Sequence, residues 1–464
     1  MRWQAPVELG APRRRRSPLT LLIPILLVFA VGAYTGLRSG TAPELALELG
    51  PALGRQATVE LQVGPSSRGV ELLRLVAAQG EQKTVVLEEK RKVVPVWRVG
   101  SATVGFVRSV ELDAQALGLQ EGPVRLRAEL RSAGAWLQAG TEVSVEVERP
   151  VLLRPPRLSV PTQAVIVAQG GSELVRYQVE DRAVRHGIQV GNLTFPGQPL
   201  EGTPDMFALF AVPHDKSDAE GIVVFAEDVV GNRAEAAFIR TFQAKPLTRD
   251  TIRVTDSVME RVVPRIMTRT PSLKDRGSLL ANYIQINADL RAELAEQLVA
   301  LGQKSEPSFL WRGAFVQMPA KVVSRFADRR TYLYEGKKVD QQDHLGFDLA
   351  SVAKDAVPAA NGGIVVLAEY FGIYGQTVVL DHGYGLMSLY AHLSRIDVAM
   401  GDRVEKGQTL GRTGATGLAL GDHLHFTTMV RGIPVSPLEW WDAQWVKNRI
   451  AAKLGPAASI SEED

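Results

Sequence analysis

The chain of 464 residues contains no cysteine. Neither a disulfide nor a thiolate metal site can form, so any metal must be held by nitrogen and oxygen ligands. Strong charge of one sign is also missing: 53 lysines and arginines stand against 51 acids, which leaves no electrostatic footprint for nucleic acid. Histidine is scarce, at seven residues. No HExxH pattern occurs, which removes the helix-borne glutamate base found in many metalloproteases. What remains is ordinary globular material, 45% hydrophobic, at about three times the usual domain length, so several domains are expected.

One long apolar run is present. Arg13, Arg14, Arg15 and Arg16 form the end of a basic tail at 1–16 and precede an uncharged stretch at 17–37 that Arg38 closes. As a helix that stretch would span about 31 Å, one bilayer core. The basic excess ahead of it places the N-terminus in the cytoplasm and everything beyond residue 38 in the periplasm or cell exterior, as a single-pass protein of the cytoplasmic membrane. A cleaved signal peptide is the competing reading. The run is long for one and no A-x-A site follows, so an uncleaved transmembrane helix, kinked at Pro24, is the expectation.

Beyond it the pattern is mainly β. ATVELQVG, KTVVLEEK, PVRLRAELR and TEVSVEVE alternate between apolar and polar residues in a first segment at 42–149, and QAVIVAQGG, MFALFAVP and GIVVFAEDVVGN belong to a second at 150–245. Both resemble immunoglobulin-like β-sandwich modules that space or dock extracellular enzymes, either as plain spacers without a ligand or with envelope proteins as their partners. A linker at 246–306 changes period: Leu280, Ile284, Leu290, Leu294 and Leu298 fall near one helical face, with Gly302 as a stop. From 307 to 446 the β pattern returns and is self-contained, so this segment should fold without the β modules. The tail at 447–464 ends in the acidic AASISEED, expected to be disordered.

Five of the seven histidines, His344, His382, His392, His423 and His425, fall between 344 and 425. In HLGFD, His344 and Asp348 would stand about 13 Å apart on an ideal strand, too far to share one ion. A bend is required, and Gly346 is where the backbone can supply it. In HLHF, alternation puts His423 and His425 on one strand face about 7 Å apart, so one can bind a metal while the other faces an open coordination position. His382, in VVLDHGYG, reads as a turn histidine outside the site, and His186 and His214 lie in the β modules without a role.

His344-x-x-x-Asp348, YAHLS with His392, and His423-x-His425, in this order and spacing, resemble the LytM and lysostaphin type of zinc metallopeptidase, which cuts peptide bonds in bacterial peptidoglycan. The likeness covers about residues 320–440, including SRFADRR and GDRVEKGQTLGRTG. It implies an antiparallel β peptidase domain with one Zn²⁺ per chain on His344, Asp348 and His425, and His392 and His423 as the non-ligand catalytic pair. Two imidazoles and a carboxylate leave a fourth position for water, with His423 as base and His392 as stabiliser or acid. Ala327 stands where the family usually has glycine and Asp422 where proline is common, departures that touch substrate fit and not chemistry.

Two rivals remain. A facial triad of an Fe(II) oxygenase also uses two histidines and one carboxylate, but its first histidine and acid usually stand two apart, and His392 and His423 would be unexplained. The other is a non-catalytic regulator of other cell-wall hydrolases, as some exported relatives are. All five positions are filled here, which favours an enzyme.

Overall fold

The computed structural model describes residues 19–161, 165–455 and 460. The arginines at 13–16, the first two residues of the apolar run and all of the AASISEED tail but Ile460 lie outside the described residues. The run itself becomes the helix Leu19–Leu37, with Pro24 inside. Among the described residues no helix is long and apolar enough to cross a membrane, so the transmembrane helix expected at 17–37 finds no support here.

The chain divides into two compact units, Met1–Pro155 with Val229–Asn232, and Pro156–Asp228 with Arg233–Asp464. In the first, Leu45–Glu48, Gln56–Val63 and Phe106–Asp113 form one antiparallel sheet. Gln82–Lys90, Val70–Gln79, Gly122–Ser132 and Glu142–Val151 form the other. The period-2 pattern explains the core: Val124, Leu126, Ala128 and Leu130 are buried while Arg125, Arg127 and Arg131 between them are exposed.

The second unit is built around one sheet. Its strands run Lys321–Ser324, Phe347–Ala350, Leu424–Val430, Leu386–Leu393, Gln376–Gly383, Gly363–Tyr370 and Arg403–Val404, with Ile433–Val435 added beside Leu424–Val430. Every residue of Leu386–Leu393 and Leu424–Val430 is buried, because both sheet faces are covered. Leu386, Tyr390, Leu424, Phe426 and Val430 join a cluster with Phe207, Trp311 and Trp440. Met387, Leu389, Ala391 and Met429, the alternate positions, join the helical segment through Ile286, Leu290, Leu294 and Leu298.

That first cluster does not stop at residue 307. Phe207, on the strand Met206–Ala211 of the second β segment, stacks on Phe309 and meets Tyr384 edge-on at ring-centre separations of 5.7 and 5.0 Å. Trp440 donates its indole N–H to Ser172 Oγ at 3.0 Å. Buried Glu173 pairs with Arg449 and Lys453 from the helical turns after Val446. Thus residues 307–446 share their core with the second β segment, and part of the expected tail is packed helix. A β pattern reports which residues face inward and is silent on which element they face.

The linker helix also departs from the expected face. Leu279–Ile284 is α-helical, Gln285–Leu290 is a π-helical turn, and Arg291–Gly302 is α-helical again. The buried stripe shifts at the wider turn, so that Tyr283 ahead of it and Ile286 and Asn287 within it are buried while Leu280 and Ile284 are only half-buried. From the last residue of that turn onward, Leu290, Leu294 and Leu298 are buried on one face, as expected.

Candidate metal centre

Sheet register brings the motifs together. Asp348 on Phe347–Ala350 is directly opposite His425 on Leu424–Val430, and Ala391, just before His392, is opposite His425 on the other side. His344 ends the strand Lys337–His344 of a separate small sheet, and the chain bends through Leu345 and Gly346 into Phe347–Ala350. The bend closes the separation of an ideal strand: His344 Nε2 lies 3.0 Å from Asp348 Oδ1. Gly346 is required by space, since a Cβ there would sit 2.6 Å from the His425 ring and 2.7 Å from the Phe426 carbonyl oxygen.

His392 reaches the cluster by breaking the alternation of its strand. Even-numbered neighbours such as Tyr390 face the Trp440 side, and a regular His392 would follow them. Its φ is 61°, a left-handed conformation uncommon for a non-glycine residue. The result places the His392 ring centre 5.8 Å from that of His425 and 4.9 Å from that of His423. His423 precedes the strand, held by a bridge to Gly414.

The hydrogen bonds fix which nitrogens carry protons. His344 Nδ1–H donates to the Arg325 carbonyl at 3.0 Å, leaving Nε2 bare. Thr427 Oγ1 donates to the Leu345 carbonyl and so accepts from His425 Nε2–H, leaving His425 Nδ1 bare. Those two lone pairs and Asp348 Oδ1 are each 3.0 Å from the other two. Three acceptors facing one another repel unless a cation or proton lies among them, and imidazole with carboxylate is a donor set suited to zinc. The three side chains are the group among the described residues able to hold a metal ion.

Electrostatics favour the ligand forms. Burial pushes His425 down to about 4, against the pull of Asp348. Burial would raise the Asp348 carboxyl, but wherever a proton stands in for a cation on His344 or His425, the hydrogen bond and charge it supplies outweigh burial and hold Asp348 well below the usual carboxylate range. Arg330 Nη2 adds a contact to Asp348 Oδ2 at 3.1 Å. Burial, then the nearby His423 and His425, hold His392 well below the ordinary histidine value.

His392 and His423 border the same cleft of about 260 Å³, whose walls include Tyr374, Leu418 and, from the linker, Val254, Tyr283 and Arg291. Each of these two imidazoles donates Nδ1–H to a backbone carbonyl, His392 to Thr416 and His423 to Gly421, both at 2.9 Å. Their Nε2 lone pairs are therefore free, and that of His423 lies 3.6 Å from Asp348 Oδ1. His382 sits on the strand Gln376–Gly383, not in a turn, and bonds the Gly362 carbonyl and Ser388 away from the cleft. Arg330, Tyr374 and Thr427 were not singled out from sequence. Thr427 could have been found, since a residue two beyond His425 on a strand shares its face.

Residues 342–437 match the model of Peptidase family M23. A stretch of 285 residues is 27% identical to the peptidoglycan DD-endopeptidase ShyA of Vibrio cholerae, covering 57% of this chain and 60% of that protein. Ninety-five residues are 37% identical to the DD-carboxypeptidase/endopeptidase Mpg of Neisseria meningitidis, covering 20% of this chain and 22% of Mpg. The chain thus spans less than two thirds of either relative. A solved peptidase M23 from Pseudomonas aeruginosa aligns over 60% of this chain and 95% of its own, at 22% identity and a TM-score of 0.38. Toward its C-terminal end, the chain carries a peptidase family M23 domain.

Proposed function

We propose that this chain is a zinc-dependent endopeptidase that hydrolyses peptide bonds in peptidoglycan. The observation that carries the reading is the trio of bare acceptors, His344 Nε2, His425 Nδ1 and Asp348 Oδ1, 3.0 Å from one another beside two further imidazoles. The likeness to the peptidoglycan DD-endopeptidase ShyA supports the substrate class, and that to the DD-carboxypeptidase/endopeptidase Mpg the reaction type. Zinc held by His344, Asp348 and His425 would supply Lewis-acid polarisation and a water of lowered pKa.

The chain's own groups then handle protons. His423, the more exposed of the non-ligand pair, accepts the proton of the attacking water at Nε2 while Gly421 holds its other nitrogen. His392, neutral at rest and fixed by Thr416, serves as stabiliser or acid once it has received a proton at Nε2. The decisive experiment combines the zinc content of the full chain with mass analysis of muropeptides after incubation. Zinc with new cleavage products is expected. Stoichiometric zinc without cleavage would replace the enzyme with a regulator of other hydrolases.

The site of action proposed is the outer side of the cytoplasmic membrane, on the ground that four arginines precede the apolar run. The β segments are proposed as immunoglobulin-like modules that position the peptidase against envelope partners. Protease protection of intact and lysed spheroplasts tests the location, and protection in intact spheroplasts that is lost on lysis would sink it.

A further inference from the structure

The cleft beside the metal centre is rich in cations that the proposed chemistry does not use. Arg253, Arg291 and Arg330 line it, and Asp348 is the one carboxylate among its lining residues. Arg330 is committed to Asp348 and Ser324. Arg291 differs. Its Nε donates to the Asn287 backbone carbonyl at 2.9 Å and its Nη2 to the Asn287 side-chain oxygen at 2.7 Å. Nη1 has no hydrogen-bond partner among the described residues. Asn287 is in turn fully buried and donates to Asp340 Oδ2 at 2.7 Å.

This anchor sits at the junction of the π-helical turn and the helix that follows it. Asn287 lies inside Gln285–Leu290, and Arg291 is the first residue of the α-helix that follows. A guanidinium clamped on one edge loses little further freedom when its other edge is engaged, which is the preorganisation that a specific anion site needs. Arg253 lies on the strand Arg249–Arg253, is exposed, and its guanidinium has no hydrogen-bond partner among the described residues. Apolar Ile252, Val254, Val258, Ile373 and Leu418 complete the wall, a surface suited to a peptide and not to a bare inorganic ion.

We propose that Arg291, fixed by Asn287 and assisted by Arg253, binds a free carboxylate of the peptide substrate and so selects acidic over amidated stem peptides. This rests on the peptidase reading. The test uses full-length zinc-loaded protein with two probes: a cross-linked stem-peptide dimer with free carboxylates, and the same dimer with those carboxylates amidated. Both kcat/KM and equilibrium binding are measured for wild type, Arg291→Gln, Arg291→Lys and Arg253→Gln.

Wild type should prefer the acid dimer by about tenfold or more, the scale of one charge-assisted hydrogen bond. Arg291→Gln should lose that preference through KM while keeping zinc. Arg291→Lys should recover part of it, since the charge remains but the Asn287 clamp does not, and Arg253→Gln should lose a smaller share. Equal handling of both dimers by wild type, or equal losses on both in Arg291→Gln, would overturn the proposal. Preferential binding of the acid dimer through Arg291 without cleavage of either would instead overturn the peptidase reading and leave the anion site standing.

Discussion

Asp348 and His425 stand directly opposite each other on neighbouring antiparallel strands, with Oδ1 and Nδ1 3.0 Å apart. His423, two residues earlier, lies outside that pairing and reaches only 3.6 Å from the same oxygen. The two histidines of HLH should therefore fail differently when removed. His425→Ala, His344→Ala and Asp348→Ala should each lose zinc and activity together. His423→Ala and His392→Ala should keep near-stoichiometric zinc while turnover falls by about two or more orders of magnitude, the scale for a general base or oxyanion donor. Metal analysis beside cleavage rates checks this, and equal zinc loss in His423→Ala and His425→Ala would reverse the assignment.

Thr427 is the reason that His425 offers Nδ1. Its hydroxyl donates to the Leu345 carbonyl and accepts from His425 Nε2. Thr427→Val keeps the shape, removes the acceptor and releases the ring to the other tautomer. Zinc affinity should drop by about 10- to 100-fold, as for other groups that orient a ligand, with melting of the metal-free protein changed far less. Competition with a calibrated chelator measures it, and an unchanged affinity would show that strand packing alone orients His425.

The clustering of the five residues was legible in the sequence because His344, Asp348, His392, His423 and His425 occur in three short motifs whose residue types carry their chemistry. The bend at Gly346 was legible too, since the required approach exceeds what a strand allows. The inversion at His392 was not: it depends on φ 61° at one residue, which no periodicity encodes. The π-helical turn was hidden for a related reason, because the sequence of 279–302 fits a regular helix and tertiary packing selects the wider turn. Nor did pattern reveal that Phe207 and Trp440 would meet residues of the peptidase segment in one core. Alternation marks an inward face without naming its partner.

Ala327 marks a place where the chain departs from the glycine usual in the resembling family. Its φ is 66°, so the methyl group sits in the left-handed region that glycine enters without strain. Its N–H donates to the His344 carbonyl at 2.7 Å, which fixes that conformation beside the first ligand. Ala327→Gly should raise stability by about 0.5–1 kcal/mol, the strain relieved exceeding the added unfolded-state entropy. Urea unfolding with an unchanged slope and a higher midpoint is the expected result. A lower midpoint would mean that the alanine is not strained.

Glu439 gives the second unit a pH-dependent stability that the metal centre does not share. Its carboxylate accepts from Ser172 N–H and Oγ–H, with Lys245 and Glu173 acting on it through charge. Burial raises it from an ordinary value near 4.5 to about 7, beyond what Ser172 and Lys245 recover. Below about pH 4.5 the folded and unfolded chains both hold this proton. Between about 4.5 and 7 the unfolded chain releases it while the folded chain keeps it, so stability falls as pH rises, and above 7 the loss is complete. For a half-buried group the loss is on the order of 1–3 kcal/mol. Glu439→Gln, which cannot ionise, should be less sensitive than wild type to a shift from pH 5 to 8 by that amount. Parallel urea titrations at both pH values isolate the difference, since every other titrating group is common to the two proteins. Identical pH slopes would mean that Glu439 is ionised in the folded chain and that Lys245 and Ser172 outweigh its burial.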